Sequence, residues 1–155
     1  MPGPPPPVII IDREDSPGSR EVWQMSNNEN VRILVVEDDP QISELLSLFI
    51  KKYGYHLCGV AESGDDALKL IRETVPNLVF IDIVLKGQMN GIALARHITR
   101  EVRIPFIYIT GHSDAQIIEE VLHTRPSAFI LKPFVGEELM VAVNIAMQKK
   151  NDSSA

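Results

Sequence analysis

Five residues able to carry chemistry stand where apolar runs stop: Glu37 and Asp38 after "RILVV", Asp82 after "LVFI", Thr110 after "PFIYI", and Lys132 after "AFIL". Short apolar runs bounded by turn signals read as buried strands. In an open parallel sheet the ligand site lies outside the carboxyl ends of the strands, at the topological switch point. Three carboxylates, one hydroxyl and one ammonium are therefore expected at one sheet edge. Two carboxylates about 6 Å apart repel by roughly 3 kcal/mol at an effective dielectric near 20, so three together need an offset. A divalent cation provides one. Oxygen donors without a second cysteine or a nearby histidine favour Mg2+ or Mn2+ over zinc, and Mg2+ takes one or two carboxylates with waters and a phosphate oxygen. Lys132 then offers a point charge to that phosphate and Thr110 a hydroxyl donor. Asp82 can be the nucleophile that forms an aspartyl phosphate, with cation and ammonium neutralising the transferring group.

Strands that deliver these residues must alternate with helices, and the chain is written that way from Val31 to about Lys149. After "RILVV", Asp39 can cap a helix with Pro40 in its first turn, and Ile42, Leu45, Leu46, Phe49 and Tyr53 form its apolar stripe up to Gly54. "HLCGVA" is the second strand. Ser63 caps a helix with Ala67, Leu68 and Ile71 inward, and Pro76 separates it from the third strand. A third helix starts near Asn90 with Ile92, Ala95 and Ile98 inside. Ser113 and Gln116 have capping-box spacing before Ile117, Val121 and Leu122, and Leu139, Val143, Ala146 and Met147 mark the last helix. Five β-α units result, the pattern of an α/β parallel sheet wound with helices on both faces.

Composition sets the outer limits. The 155 residues fit one domain, at 45% hydrophobic, 23% charged and a net charge of -6. That balance disfavours nucleic acid, which needs clustered Lys and Arg. The single Cys58 excludes a disulfide framework and reads as a buried strand thiol. No apolar run reaches the roughly 18 residues of a membrane span, and "VIII" is too short for a signal-peptide core. A soluble cytoplasmic protein without membrane contact is expected. Residues 1–30, with "MPGPPPP" and a polar stretch, read as a disordered extension in which Val8 to Ile11 offers a short strand and Met25 an alternative start; residues 150–155 read as a disordered tail.

The motifs "ILVVEDD", "LVFIDIVLKGQMNGIALA", "IPFIYITGHSD" and "AFILKPF", in this order and spacing, resemble the receiver domain of two-component response regulators over residues 31–149. The resemblance implies a flavodoxin-like (βα)5 doubly wound sheet of strand order 2-1-3-4-5, a single domain. It implies Asp82 as phosphoacceptor and metal ligand, Asp38 as a direct Mg2+ ligand, Glu37 acting through water, and the backbone carbonyl of Val84 completing the protein's share. Thr110 becomes the switch hydroxyl, Lys132 the phosphate-binding lysine ahead of a cis Pro133, and Phe129 the aromatic rotamer switch, without the hydroxyl of a tyrosine. The partners implied are a sensor histidine kinase or histidine phosphotransfer protein and a downstream protein on the face of the fourth helix, fifth strand and fifth helix. A phosphorylation-linked homodimer is a further state. No output domain is expected after Met147, so no DNA is bound by an attached effector. The loop from Asp82 to Gly91 is one residue longer than in the commonest receivers and lacks their usual proline. Val84 and His112 take the two variable positions beside the phosphoryl group.

Plainer readings stand beside these. Asp39 is a helix cap, His56, His97 and His123 are surface residues, and Glu119 and Glu120 form a solvated face. An enzyme of the haloacid-dehalogenase type would use Asp82 as nucleophile, but it wants a second acid two positions later, where Val84 stands. A degenerate receiver that only binds is disfavoured by the intact set of Glu37, Asp38, Asp82, Thr110 and Lys132.

Overall fold

The structure, a computed structural model, describes residues 8–10, 30–112 and 114–153. Six strands form one sheet: β1 (Val8–Ile10), β2 (Arg32–Val36), β3 (His56–Ala61), β4 (Leu78–Ile81), β5 (Phe106–Thr110) and β6 (Ala128–Leu131). Its order is β1-β6-β5-β4-β2-β3. Counted from Arg32, the five parallel strands have the expected order 2-1-3-4-5. The sixth is β1, which adds antiparallel to β6, pairing Val8 with Ile130, Ile9 with Phe129 and Ile10 with Ala128. The short strand read at Val8 to Ile11 thus exists over Val8–Ile10, and these residues are ordered against the sheet rather than part of a disordered extension. The rest of the head, with the alternative start at Met25, lies outside the described residues.

Four helices cross between the strands, α1 (Pro40–Lys52), α2 (Gly64–Thr74), α3 (Gly91–His97) and α4 (Ala115–His123), and α5 (Gly136–Ser153) follows the last strand. Capping starts each of the first four, because a side-chain oxygen takes an amide left unpaired in the first turn. Asp39 accepts from Gln41, Ser63 from Asp66, Asn90 from Ala93 and Asp114 from Ile117. The cap of α4 is therefore Asp114 and not Ser113, which lies outside the described residues. An aspartate adds its charge at the positive end of the helix dipole, an advantage serine lacks. At the other end of the chain, α5 continues to Ser153, past the boundary expected at Lys149. Gln148, Lys149 and Lys150 are good helix formers, and the two lysines sit near the negative end of the dipole.

The sheet divides the core into two layers. On one face Leu34, Val36, Val79, Ile81, Phe106, Tyr108 and Phe129 pack against Ala67 and Ile71 of α2, Leu94 and Ala95 of α3, and Val121 of α4. On the other, Ile33, Val35, Phe80, Ile107 and Ile130 meet Leu46 and Ile50 of α1 and Leu139, Val143 and Ala146 of α5. The α1 stripe is corrected in one position: Leu45 is 39% exposed and Ile50 is buried in its place. Ile42, Leu46 and Ile50 repeat every four residues, and Leu45 is rotated about 100° off that line. Cys58 is likewise half-buried rather than core. β3 is an edge strand, and its register against β2 runs Ile33 to Leu57 and then Leu34 to Gly59, which leaves Cys58 as the extra residue of a bulge.

α3 ends in a wider π-type turn, Ile98–Val102, closed by Arg103 in the left-handed region. This segment is tied to α4 by the Thr99 hydroxyl, which donates to the Thr124 carbonyl at 2.7 Å. Thr124 in turn sits 2.7 Å from the Tyr108 hydroxyl and donates to Val121 O. Both side chains are buried, and burial pushes the Tyr108 phenol well above its ordinary range despite the Thr124 hydrogen bond. Thr124→Val leaves that phenol unpaired in the core, and a buried unsatisfied hydroxyl costs about 1–3 kcal/mol. Urea unfolding is expected to show a loss of that size with an unchanged slope; a midpoint equal to wild type would remove the pair's structural role.

Candidate functional site

The register fixes where the carboxyl ends of β2, β4, β5 and β6 stand: β2 and β4 end level, and β5 and β6 run two residues further. Val36 lies opposite Ile81, Ile81 opposite Tyr108, and Thr110 opposite Leu131. The next residues continue the ladder: Glu37 donates its amide to Ala61 O, Asp82 to Val36 O, and Lys132 to Thr110 O. Glu37, Asp82 and Lys132 are thus set by backbone pairing on the rigid sheet, one step beyond β2, β4 and β6, while Thr110 is the last residue of β5.

At that edge Lys132 Nζ donates to Glu37 Oε1 at 2.6 Å and to Asp82 Oδ2 at 3.0 Å. The other oxygens of both acids also have donors. Glu37 Oε2 accepts from the Asp39 amide at 3.1 Å and Asp82 Oδ1 from the Val84 amide at 3.3 Å. Glu37 is 2% exposed and Asp82 8%, so the pair is nearly enclosed, whereas Asp38 at the rim is half-buried. Burial pushes the Glu37 carboxyl up to about 7, with the Asp82 charge adding to the rise, while the Lys132 hydrogen bond and the Asp39 amide pull the other way. Burial alone would lower the Lys132 ammonium, yet its bond to Glu37 and the charge of Asp82 hold it above its ordinary value.

Glu37, Asp38 and Asp82 each present one carboxylate oxygen, all within 4.8 Å of one another. Three oxygens converging at this spacing, with Asp38 open to solvent, fit a hard divalent cation that keeps some of its waters. A single ammonium answers three carboxylates, and that surplus of negative charge is what a cation would neutralise. The donor set therefore fits Mg2+ or Mn2+ and lacks the imidazole or thiolate ligands typical of zinc.

Thr110 is fully buried, and its Oγ1 accepts from the His112 amide at 3.3 Å. Phe129 lies beneath, inside the core, its ring 6.1 Å from that of Tyr108. Val84 is 50% exposed and His112 is exposed at the mouth. Lys132–Pro133 is a cis peptide, as expected. The loop after Asp82 bends at Gly87, in the left-handed region, and joins the α2 cap through a bridge between Lys86 and Ser63. Tyr108 and Thr124 were not singled out from sequence. A tyrosine hydroxyl within a buried strand is the available signal, but nothing in "PFIYIT" points to a partner sixteen residues away.

The response regulator receiver domain family matches residues 33–144. Among relatives, the DNA-binding response regulator MtrA of Mycolicibacterium smegmatis is 32% identical over 124 residues, 80% of this chain and 54% of that protein. Among solved structures, the BeF3-activated N-terminal receiver domain of Klebsiella pneumoniae RstA superposes with a TM-score of 0.69 at 27% identity, covering 75% of this chain and 97% of the other. A signal receiver domain of a modulated diguanylate cyclase from Desulfovibrio desulfuricans G20 reaches a TM-score of 0.75 at 24% identity, over 79% and 97% of the two chains, a likeness of fold. The chain belongs to the response regulator receiver domain family of two-component systems. Members of this family are phosphoacceptors rather than classical enzymes, and they bind Mg2+ at an acidic pocket. The chain spans about half the length of the curated relatives it matches. No helix among the described residues is long and apolar enough to cross a membrane.

Proposed function

We propose that this receiver, taken over residues 31–149, accepts a phosphoryl group on Asp82 from a histidine kinase or histidine phosphotransfer protein and works as a phosphorylation switch in the cytoplasm. The observation that carries this reading is the Lys132 ammonium spanning Glu37 and Asp82 inside the acidic cluster. Glu37, Asp38, Asp82 and the carbonyl of Val84 are the residues that would hold Mg2+. When bound, the cation supplies positive charge to the oxygens of the transferring group.

The remaining steps belong to the chain. Asp82 attacks phosphorus with one carboxylate oxygen, forming the O–P bond as the N–P bond to the donor imidazole breaks. The imidazole leaves with that electron pair. Lys132, already at Asp82 Oδ2, passes its ammonium to a phosphoryl oxygen, and the Thr110 hydroxyl turns from the His112 amide to donate to another. Thr110 and Phe129 share a sheet edge region through the β5–β6 pairing, so a shift of the hydroxyl opens or closes room for the ring. The output surface is α4, β6 and α5, which serves a downstream protein or a second phosphorylated copy.

Beryllofluoride with Mg2+ imitates the phosphoryl group and binds only an intact site. At a hundredfold excess over its dissociation constant it is expected to stabilise the fold by about 2.7 kcal/mol, read as a rise in Tm. An unchanged Tm with millimolar Mg2+ and beryllofluoride would leave a receiver that only binds. The phosphoryl group is also expected to persist. Val84 is apolar beside Asp82 and cannot orient an attacking water, so label should decay over minutes after acetyl phosphate is removed. Loss within seconds would assign that water to another residue.

A further inference from the structure

The parallel strands would end at β6, whose outer edge offers a row of backbone donors and acceptors and whose four residues, Ala128–Leu131, carry no charge. Natural sheets protect such an edge with charges, prolines, bulges or a cover, because it will pair with any extended chain. Here the cover is β1, three residues long, antiparallel, and flanked by α5. Residues 11–31 join it to β2. That tether can span up to about 70 Å, while four strand spacings of about 4.8 Å put only about 19 Å between β1 and β2. The length of the connection therefore sets no limit on where β1 pairs. Its pairing with β6 is only three residues long, below the usual strand length.

We propose that the β6 edge is a strand-addition site for extended, β-branched apolar peptides, and that Val8–Ile10 is its exchangeable resident occupant. Antiparallel polarity and the register Ile9 to Phe129 define the seat. An incoming peptide gains main-chain hydrogen bonds and competes with a resident whose effective concentration is in the millimolar range. The inference is independent of phosphoryl chemistry at Asp82 and stands or falls without it.

Amide hydrogen exchange on the full chain, resolved residue by residue, tests it. Wild type is expected to protect the β6 amides that point away from β5. Ile9→Pro, which removes a backbone donor and disfavours pairing, is expected to speed their exchange at least tenfold while β2 and β4 stay protected. A synthetic peptide of residues 4–13 at millimolar concentration should then restore slow exchange at the β6 edge of the variant alone. Ile9→Glu, which keeps the amide, serves as a second variant with the same expected rescue. Equal exchange of wild type and both variants, or no rescue by peptide, overturns the proposal. Protection in wild type that falls on dilution to micromolar protein would assign the occupant to a second copy and overturn residence in cis.

Discussion

Asp82→Asn is expected to take up no phosphoryl group when incubated with acetyl phosphate and Mg2+, whereas wild type is expected to gain the mass of one. The amide is the same size as the carboxylate, and its single oxygen accepts from the Val84 amide or from Lys132 where the carboxylate accepts from both. What disappears is the nucleophilic oxygen, since an amide has no lone pair of comparable basicity to offer phosphorus. Lys132 keeps its 2.6 Å bond to Glu37, which remains nearly fully buried, so the ammonium is not orphaned. Removing one of three crowded carboxylates also relieves repulsion worth roughly 3 kcal/mol at 6 Å and an effective dielectric near 20. Loss of the 3.0 Å ion pair with Lys132 opposes that relief, so the variant is expected to stay folded with stability near wild type while its phosphorylation falls to background. Intact mass and thermal unfolding on the same sample separate the two effects. Uptake of a phosphoryl group by the variant would place the acceptor elsewhere, with Asp38 the next carboxylate in the cluster.

Gly91→Ala is expected to unfold at much lower urea, with a loss of about 3 kcal/mol, because overpacking against backbone has no cheap relief. A Cβ at Gly91 would collide with the carbonyl oxygen of Asp82 and come 2.8 Å from the Asp82 carbonyl carbon and the Ile83 Cα. These are main-chain atoms of the segment that carries the acceptor. The Gly91 amide also donates to Ile83 O at 2.8 Å, so the first residue of α3 is fastened directly to the end of β4. Any shift that admits the methyl group moves Asp82 away from Lys132, and phosphorylation should fall along with stability. Gly111→Ala is the control, since a Cβ there meets nothing within 4 Å. It is expected to change stability by less than about 1 kcal/mol, in line with surface substitutions. A Gly91→Ala protein as stable as the control would show that the loop can yield.

Much of this arrangement was legible because strand ends and chemistry coincide in the sequence. "LVFID" states both a buried strand and the acid at its mouth, and backbone pairing then brings Glu37 and Asp82 to one height and Lys132 two residues further along the same edge. Capping was legible for the same reason: Asp39, Ser63 and Asn90 act within three residues of themselves. Ser113 misled because serine and aspartate at adjacent positions both satisfy the local rule, and one-residue choices between caps depend on the path of the preceding loop. The exposure of Leu45 and the bulge at Cys58 are decided by where α1 and β3 meet the sheet, which no periodicity encodes. β1 was faintly visible as an apolar run, but its partner lies more than a hundred residues away and only the folded sheet offers it an edge. The turn of Phe129 toward Tyr108 is of the same kind, a contact between neighbouring strands that neither strand announces.

Thr110 continues the row of Phe106 and Tyr108 along β5, since alternate residues of a strand share a face. That row, with Phe129 beside it, belongs entirely to the stratum containing α2, α3 and α4. The intervening aliphatic residues Ile107, Ile109 and Ile130 belong to the stratum of α1 and α5. A shift of the Thr110 hydroxyl would therefore bear first on the aromatic rings of that layer and on the α4 side of the sheet.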